Sequence, residues 1–188
     1  MIIIGITGTL GAGKGTIVDY LVLEKGFAHY SVREYLLEEI KKRDMPQNRD
    51  SMVSIANELR SKNSPSYITD QLYIQSLKQD KNAIIESIRT PGEAESLKAK
   101  GKFYLFAVDA DPKIRYERIK IRNSETDQID FDTFIANEKR EMTSTDPNKQ
   151  NLKQCREMAD FIFMNDGSKE DLFQSVENVI SNIDGHSN

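Results

Sequence analysis

The residues with the most chemistry in this chain stand near its start: Gly8-Thr9-Leu10-Gly11-Ala12-Gly13-Lys14-Gly15-Thr16. Glycines at this density let the backbone curl until successive N–H groups point inward, an arrangement that suits phosphate oxygens. Lys14 adds a mobile full charge that can reach the β and γ phosphates of a triphosphate. The spacing Gly8-(four residues)-Gly13-Lys14 carries weight only if a buried strand precedes it and a helix follows. Both are written in the pattern. Met1–Thr7 is apolar and β-branched, as a central parallel strand is. Thr16–Glu24 puts Ile17, Val18, Leu21 and Val22 on the inner side of a helix, whose N-terminus adds partial positive charge. The motif is specific for a polyphosphate donor and silent about the acceptor.

Further cations follow at helical spacing. Arg115, Arg118 and Arg122 recur every three or four residues after Pro112, so they stack on one helical face. Like charges so aligned repel unless an anion neutralises them, and phosphoryl transfer supplies such an anion. The competing reading is a solvated basic face balanced by Glu117. Glu86 and Arg89 flank the end of another apolar run, Ala83–Ser87, and so belong to the carboxyl edge of the sheet where ligands bind. Asn57, Arg60 and Tyr67 could line the same pocket, but helical spacing alone favours the surface for them.

The elements that must hold these groups can be read along the chain. Phe27–Tyr30, Ala83–Ser87, Phe103–Asp109 and Phe161–Met164 join the first strand as short apolar runs alternating with helical stretches. The expected fold is therefore α/β: a three-layer α/β/α arrangement with a five-stranded parallel sheet, in one domain over residues 1–188. Its core takes residues 1–30, 80–122 and 148–183. Two segments depart from simple alternation, a helical insertion over 31–79 and a polar segment over 123–147, and both are candidates for moving parts. The tail 184–188 is expected to be disordered.

Composition narrows the function classes. The 188 residues carry 26 basic and 30 acidic side chains, a net charge of −4. With no basic stripe, nucleic acid is not an expected partner. No apolar run approaches the roughly 20 residues that span a bilayer, and the apolar start, Met1–Ile4, is broken at once by glycine without a basic segment before it. A cytoplasmic location, without signal peptide or membrane anchor, is the expectation. The single Cys155 reads as a core residue. His29 and His186 approach neither a metal site nor a catalytic triad, and no cysteine pairs are available for a zinc staple.

Gly13-Lys14-Gly15-Thr16 resembles the loop of adenylate kinases and other nucleoside monophosphate kinases, which carry this Gly-Thr variant. The resemblance implies that Thr16 helps to position phosphates and Mg²⁺, with ATP as donor. Ala83–Glu95 resembles the kinase stretch Asp-Gly-Phe-Pro-Arg-Thr and the helix after it. By that match Arg89 grips the acceptor phosphate, and Glu86 stands where the family has an aspartate that organises magnesium-bound water. Tyr30–Leu36 is similar, at a looser register, to the segment that precedes a phosphate-binding arginine, which makes Arg33 a substrate-side candidate. The family's closing lid implies roles for Arg118 and Arg122 over the phosphates, leaves Arg115 expected to face solvent, and implies a role for Arg140 on its return side. Asn165-Asp166-Gly167 resembles the turn near the donor adenine in dephospho-CoA kinases, which implies that Asn165 and Gly167 contact the base. The function so implied is ATP-dependent phosphoryl transfer to a nucleoside or deoxynucleoside monophosphate, by a monomer or small homo-oligomer. Dephospho-CoA kinase stands as an alternative, and a non-catalytic nucleotide sensor as another of a different class.

Overall fold

The computed structural model describes residues 1–122 and 128–185. Five parallel strands run β1 (Ile3–Gly8), β2 (Ala28–Ser31), β3 (Ala83–Glu86), β4 (Phe103–Asp109) and β5 (Phe161–Met164). Their order across the sheet is β2-β3-β1-β4-β5, so the first strand lies in the middle and the chain departs from it in both directions. Such a reversal opens a crevice at the carboxyl ends of the central strands. The register fixes what reaches that edge. Ile6 of β1 pairs with Glu86, which in turn pairs with Ser31 of β2. Gly8 pairs with Val108, so Asp109 stands just past the start of the glycine loop.

Nine helices are described: α1 (Lys14–Lys25), α2 (Val32–Lys42), α3 (Arg49–Lys62), α4 (Tyr67–Ser76), α5 (Pro91–Lys98), α6 (Pro112–Arg122), α7 (Phe131–Met142), α8 (Leu152–Glu157) and α9 (Lys169–Gly185). They bury two separate cores. On one face of the sheet Ile4, Ile6 and Phe106 meet Ile17 and Leu21 of α1 and Val176 and Ile180 of α9. On the other, Ile3, Ile85 and Leu105 meet α2, α3 and α4 through Leu36, Ile40, Ile55, Ile68 and Leu72. The insertion thus shares the core of the second face and presents its inner surface to the sheet's carboxyl edge. Cys155 is fully buried, and burial pushes its thiol up to about 12, so it is an inert core residue as expected.

The strands fall within a residue or two of their expected limits. α5 starts at Pro91 because Thr90 caps it. The Thr90 hydroxyl accepts from the Glu93 N–H (3.3 Å), and Glu93 Oε2 accepts from the Thr90 N–H (3.0 Å), a reciprocal capping box with Pro91 in the first turn. α9 runs on to Gly185, past the expected end of the last helix. Residues 123–127 of the polar segment, and residues 186–188 with His186, lie outside the described residues. No helix among the described residues is long and apolar enough to cross a membrane.

Candidate functional site

The glycine loop connects β1 to α1 as its spacing requires. Gly13 is the N-cap of α1 in the left-handed region (φ 103°) and Gly8 has φ 148°, conformations that a side chain would strain. Space forbids side chains there too. A Cβ on Gly13 would stand 2.2 Å from Asn165 Nδ2, and one on Gly8 2.2 Å from Val108 O. Gly15 differs, since a Cβ there would meet no protein atom within 4 Å. The loop is therefore braced from behind and open in front at Gly15, which precedes the first hydrogen bonds of α1, those of Thr16 and Ile17 N–H to Gly13 O.

Three side chains do the bracing. Asn165 is buried and donates through Nδ2 to Ala12 O at 2.8 Å. Asp109 accepts from the Thr9 hydroxyl at 3.0 Å and from Arg156 at 2.8 Å. Arg115, expected to face solvent, is instead 2% exposed. Its Nε donates to Ala110 O at 2.7 Å, NH1 reaches Leu10 O at 3.3 Å, and the guanidinium forks onto Glu138 of α7 and lies over the Phe134 ring. The three-four spacing of Arg115, Arg118 and Arg122 is right, but the buried side of α6 passes through Arg115 and Ile119. Arg115→Ala is expected to lower stability by about 3 kcal/mol, because it leaves Glu138 without its partner and two carbonyls without a donor. Urea unfolding of the two proteins checks this.

In front of the loop lies a cavity of about 270 Å³. The cradle contributes Leu10 and Lys14, and α2 contributes Val32, Arg33 and Leu36. From α3 come Arg49, Met52, Val53 and Arg60, and from the end of β3 Glu86, Ser87 and Arg89. Arg122 of α6, Glu141 of α7 and Gln150 complete it. Cations thus converge on one space in a chain whose net charge is −4. Ser87 carries the kink that lets its neighbours share this space. Its φ is 72°, a left-handed conformation that costs a non-glycine residue of order 1 kcal/mol, held by hydrogen bonds from Ser87 and Ile88 N–H to Ile6 O.

Lys14 Nζ donates to Gly8 O (3.0 Å) and Thr9 O (2.9 Å), which holds it across the loop. Burial, then the positive charge of Arg89, lowers its pKa from 10.5 to about 8 against the opposing pull of Glu86 and Glu141. Burial acts to raise the Glu86 pKa, but a hydrogen bond from His29 (3.2 Å), with Lys14 and Arg89 nearby, holds the carboxyl below its ordinary value. Glu141 behaves alike: burial opposes ionisation, and Arg89 and Arg49 outweigh it. Arg89 NH1 donates to Glu141 Oε2 and to Gln150 Oε1, both at 2.8 Å.

The structure brings together Lys14, Arg33, Glu86, Arg89 and Arg122 from the residues singled out in the sequence. Arg118 is half-buried on α6 but is not among the residues that line the cavity, and its NH1 is enclosed with no hydrogen-bond partner among the described residues. Arg140 lies elsewhere, exposed and 3.9 Å from Asp50, while its neighbour Glu141 enters the cavity. Asn165 and Gly167 sit behind the loop, where Gly167 packs against Asp171. Tyr67 is half-buried, and Asn57 keeps a buried Oδ1. Arg60, which helical spacing alone puts at the surface, is 1% exposed and paired with Glu93. Arg49 was missed as well. No local signal marks it, whereas Thr90-Pro91-Gly92-Glu93 is a capping signature that could have located Glu93.

Comparison with known proteins agrees with this geometry. The family model described as "AAA domain" matches residues 4–146. A UPF0200 protein of Methanococcus maripaludis strain C7 is 28% identical, with 97% of this chain and 98% of that protein covered. A UPF0200 protein of Pyrococcus horikoshii is 22% identical, with 96% and 97% covered. Among solved structures, TT1252 from Thermus thermophilus superposes with a TM-score of 0.59 at 20% identity, over 96% of this chain and 97% of that one. Shikimate kinase from Bacteroides thetaiotaomicron does so with a TM-score of 0.58 at 14% identity, over 96% and 98%. The chain thus belongs to the AAA domain family, and its five-stranded parallel sheet with flanking helices has the P-loop kinase-like fold of these solved structures.

Proposed function

We propose that this protein transfers a phosphoryl group from ATP to a nucleoside or deoxynucleoside monophosphate. The observation that carries the reading is that Lys14 of the cradle and the arginines Arg33, Arg49, Arg60, Arg89 and Arg122 line one cavity. A donor alone would need only the loop. A second cluster of cations, set against the apolar wall of Val32, Leu36, Met52 and Val53, suits an acceptor with an anionic end and a flat apolar body.

The residues present fit ATP and Mg²⁺. The braced glycines, the open space at Gly15 and Lys14 would hold the β and γ phosphates. Thr16 and Glu86 would hold the ion, Glu86 through water. Among the described residues no cluster of three or more His, Cys, Asp or Glu could bind a metal by itself, so the phosphates would have to complete the coordination. When bound, ATP with Mg²⁺ supplies the transferable group and part of the neutralising charge. The protein's own part is positioning and electrostatics. Arg89 and Arg33 draw in and orient the acceptor phosphate, and Lys14, Arg122 and Arg118 offset charge on the transferring group. A phosphate monoester has its second pKa near 6 and is already ionised at neutral pH, so no general base is required.

The alternative of a hydroxyl acceptor, as for dephospho-CoA, would require a base. Glu86 with His29 behind it is placed for that role, but the surroundings that lower its pKa also weaken it as a proton acceptor. A panel of AMP, CMP, UMP, the deoxynucleoside monophosphates and dephospho-CoA, each assayed for ADP release from ATP, decides between them. Turnover with a monophosphate is expected. ATP binding with no turnover on any of them would mean a nucleotide sensor.

A further inference from the structure

Arg60 is the most buried cation in the insertion, and its hydrogen bonds account for only part of it. Its Nε (3.2 Å) and NH2 (2.7 Å) both donate to Glu93 Oε1. The other oxygen, Oε2, accepts from the backbone N–H of Arg89 (2.8 Å) and of Thr90 (3.0 Å). Glu93 is itself fully buried, so this one carboxylate fixes both the Arg60 side chain and the backbone from which Arg89 projects. A pin between α3 and α5 would be complete at that point. Arg60 NH1 remains: it is buried, has no hydrogen-bond partner among the described residues, and belongs to a residue that lines the same cavity as Lys14 and Arg89. Arg49 Nε, also on a residue lining that cavity, is likewise buried without a partner. Leaving a charged donor enclosed and unsatisfied is costly, and a purely structural pin would gain nothing by it.

We propose that Arg60, through NH1, is a buried donor to an anionic oxygen of the acceptor, that Arg49 assists it, and that Glu93 is the residue that positions it. The subsite lies on the α3 side of the cavity, across from Arg33 on α2 and bordered by the apolar Met52 and Val53 of α3. Its chemistry is that of an oxyanion, either a phosphate monoester or a carboxylate. Because the donor is fixed and shielded from water, a neutral acceptor would leave it unsatisfied, so the site selects against nucleosides in favour of their phosphates. The proposal rests on the kinase reading for its substrate class, but it can be tested without turnover.

Titration calorimetry on the full-length protein with AMP, CMP and UMP, with adenosine, and with a hydroxycarboxylate such as shikimate separates the possible ligands, and mant-ATP fluorescence follows the donor site. R60K keeps a charge facing Glu93 but removes the NH1 arm. R60Q, which is more disruptive, is included only if its thermal unfolding remains cooperative. Expected is binding of at least one anionic ligand by the wild-type protein and weakening by about 10- to 100-fold in R60K, with mant-ATP affinity within about twofold of wild type. If the bound ligand is the carboxylate, the Arg60 assignment stands and the nucleoside monophosphate reading fails. Binding without turnover likewise supports Arg60 while counting against the kinase. Turnover of a monophosphate with an acceptor KM unchanged in R60K overturns the Arg60 assignment and leaves the kinase intact. Wild-type protein that binds none of these anions, or binds adenosine as well as AMP, also overturns it.

Discussion

Lys14→Ala is expected to lower kcat by about 10²- to 10³-fold, the loss that follows removal of one preorganised charge from a phosphoryl-transfer site, and to weaken ATP binding with it. The change should be nearly free of structural cost. Lys14 Nζ donates to Gly8 O and Thr9 O, whereas the loop is held by Asn165, Asp109 and Arg115 from behind. Its pKa of about 8 gives a second, independent readout. As pH rises through that value the ammonium loses its proton, so ATP affinity should fall above pH 8 in wild type and stay flat in the alanine variant. Stability runs the other way. A lysine with a pKa lower in the folded than in the unfolded chain carries a penalty that is present below the folded value and relieved as pH rises towards 10.5. The ligand-free protein should therefore gain stability between about pH 8 and 10, a gain that Lys14→Ala removes. Calorimetric ATP titrations and thermal melts over that range test both.

Arg89→Ala should act on the other substrate. The loss of acceptor kcat/KM is expected on the order of 100-fold, or about 2.7 kcal/mol, with a much smaller change in ATP affinity. Arg89 also neutralises Glu141, which remains with Arg49 as its nearest charge partner. Glu141 has a pKa below its ordinary 4.5, so its pairing contributes stability that is present above that value and lost as pH falls through the depressed one. In Arg89→Ala part of that stability disappears, and acid unfolding shifts to higher pH. Arg89→Lys should keep much of the acid stability and recover little activity, because an ammonium does not reproduce the fork of a guanidinium. Steady-state kinetics in each substrate, with acid titrations followed by circular dichroism, separate these effects.

The glycine-loop part of the candidate site was legible in the sequence because it is local. Strand, glycines, lysine and helix follow one another within a single stretch, and the backbone conformation they need is recorded in the glycines themselves. The five strands were legible for a similar reason, as short apolar runs bounded by polar turns. The cavity in front of the loop is assembled from α2, α3, the end of β3, α6 and α7, which no short-range pattern brings together. Arg60 and Arg115 show where inference from helical spacing alone fails. Spacing says which residues share a face of a helix, but the inward direction depends on tertiary packing. In both cases a glutamate from another element makes an inward arginine tolerable, the buried Glu93 for Arg60 and the half-buried Glu138 for Arg115. Arg140 and Glu141 show the converse: adjacent residues on α7, of which the acid rather than the base faces the cavity. Asn165 illustrates a third case. A turn that could contact a base equally well holds Ala12 O, and nothing in Asn-Asp-Gly distinguishes the two.

The proposed bipartite phosphate site, with a donor cradle at Lys14 and an acceptor cluster at Arg89, makes a definite demand on stoichiometry. Phosphorus NMR of the protein mixed with Mg·ATP and the panel of monophosphates observes it directly. ADP and one nucleoside diphosphate should appear in equal amounts, without free phosphate. Release of inorganic phosphate with every acceptor unchanged, or an unaltered ATP spectrum in all mixtures, would contradict transfer between two bound phosphates.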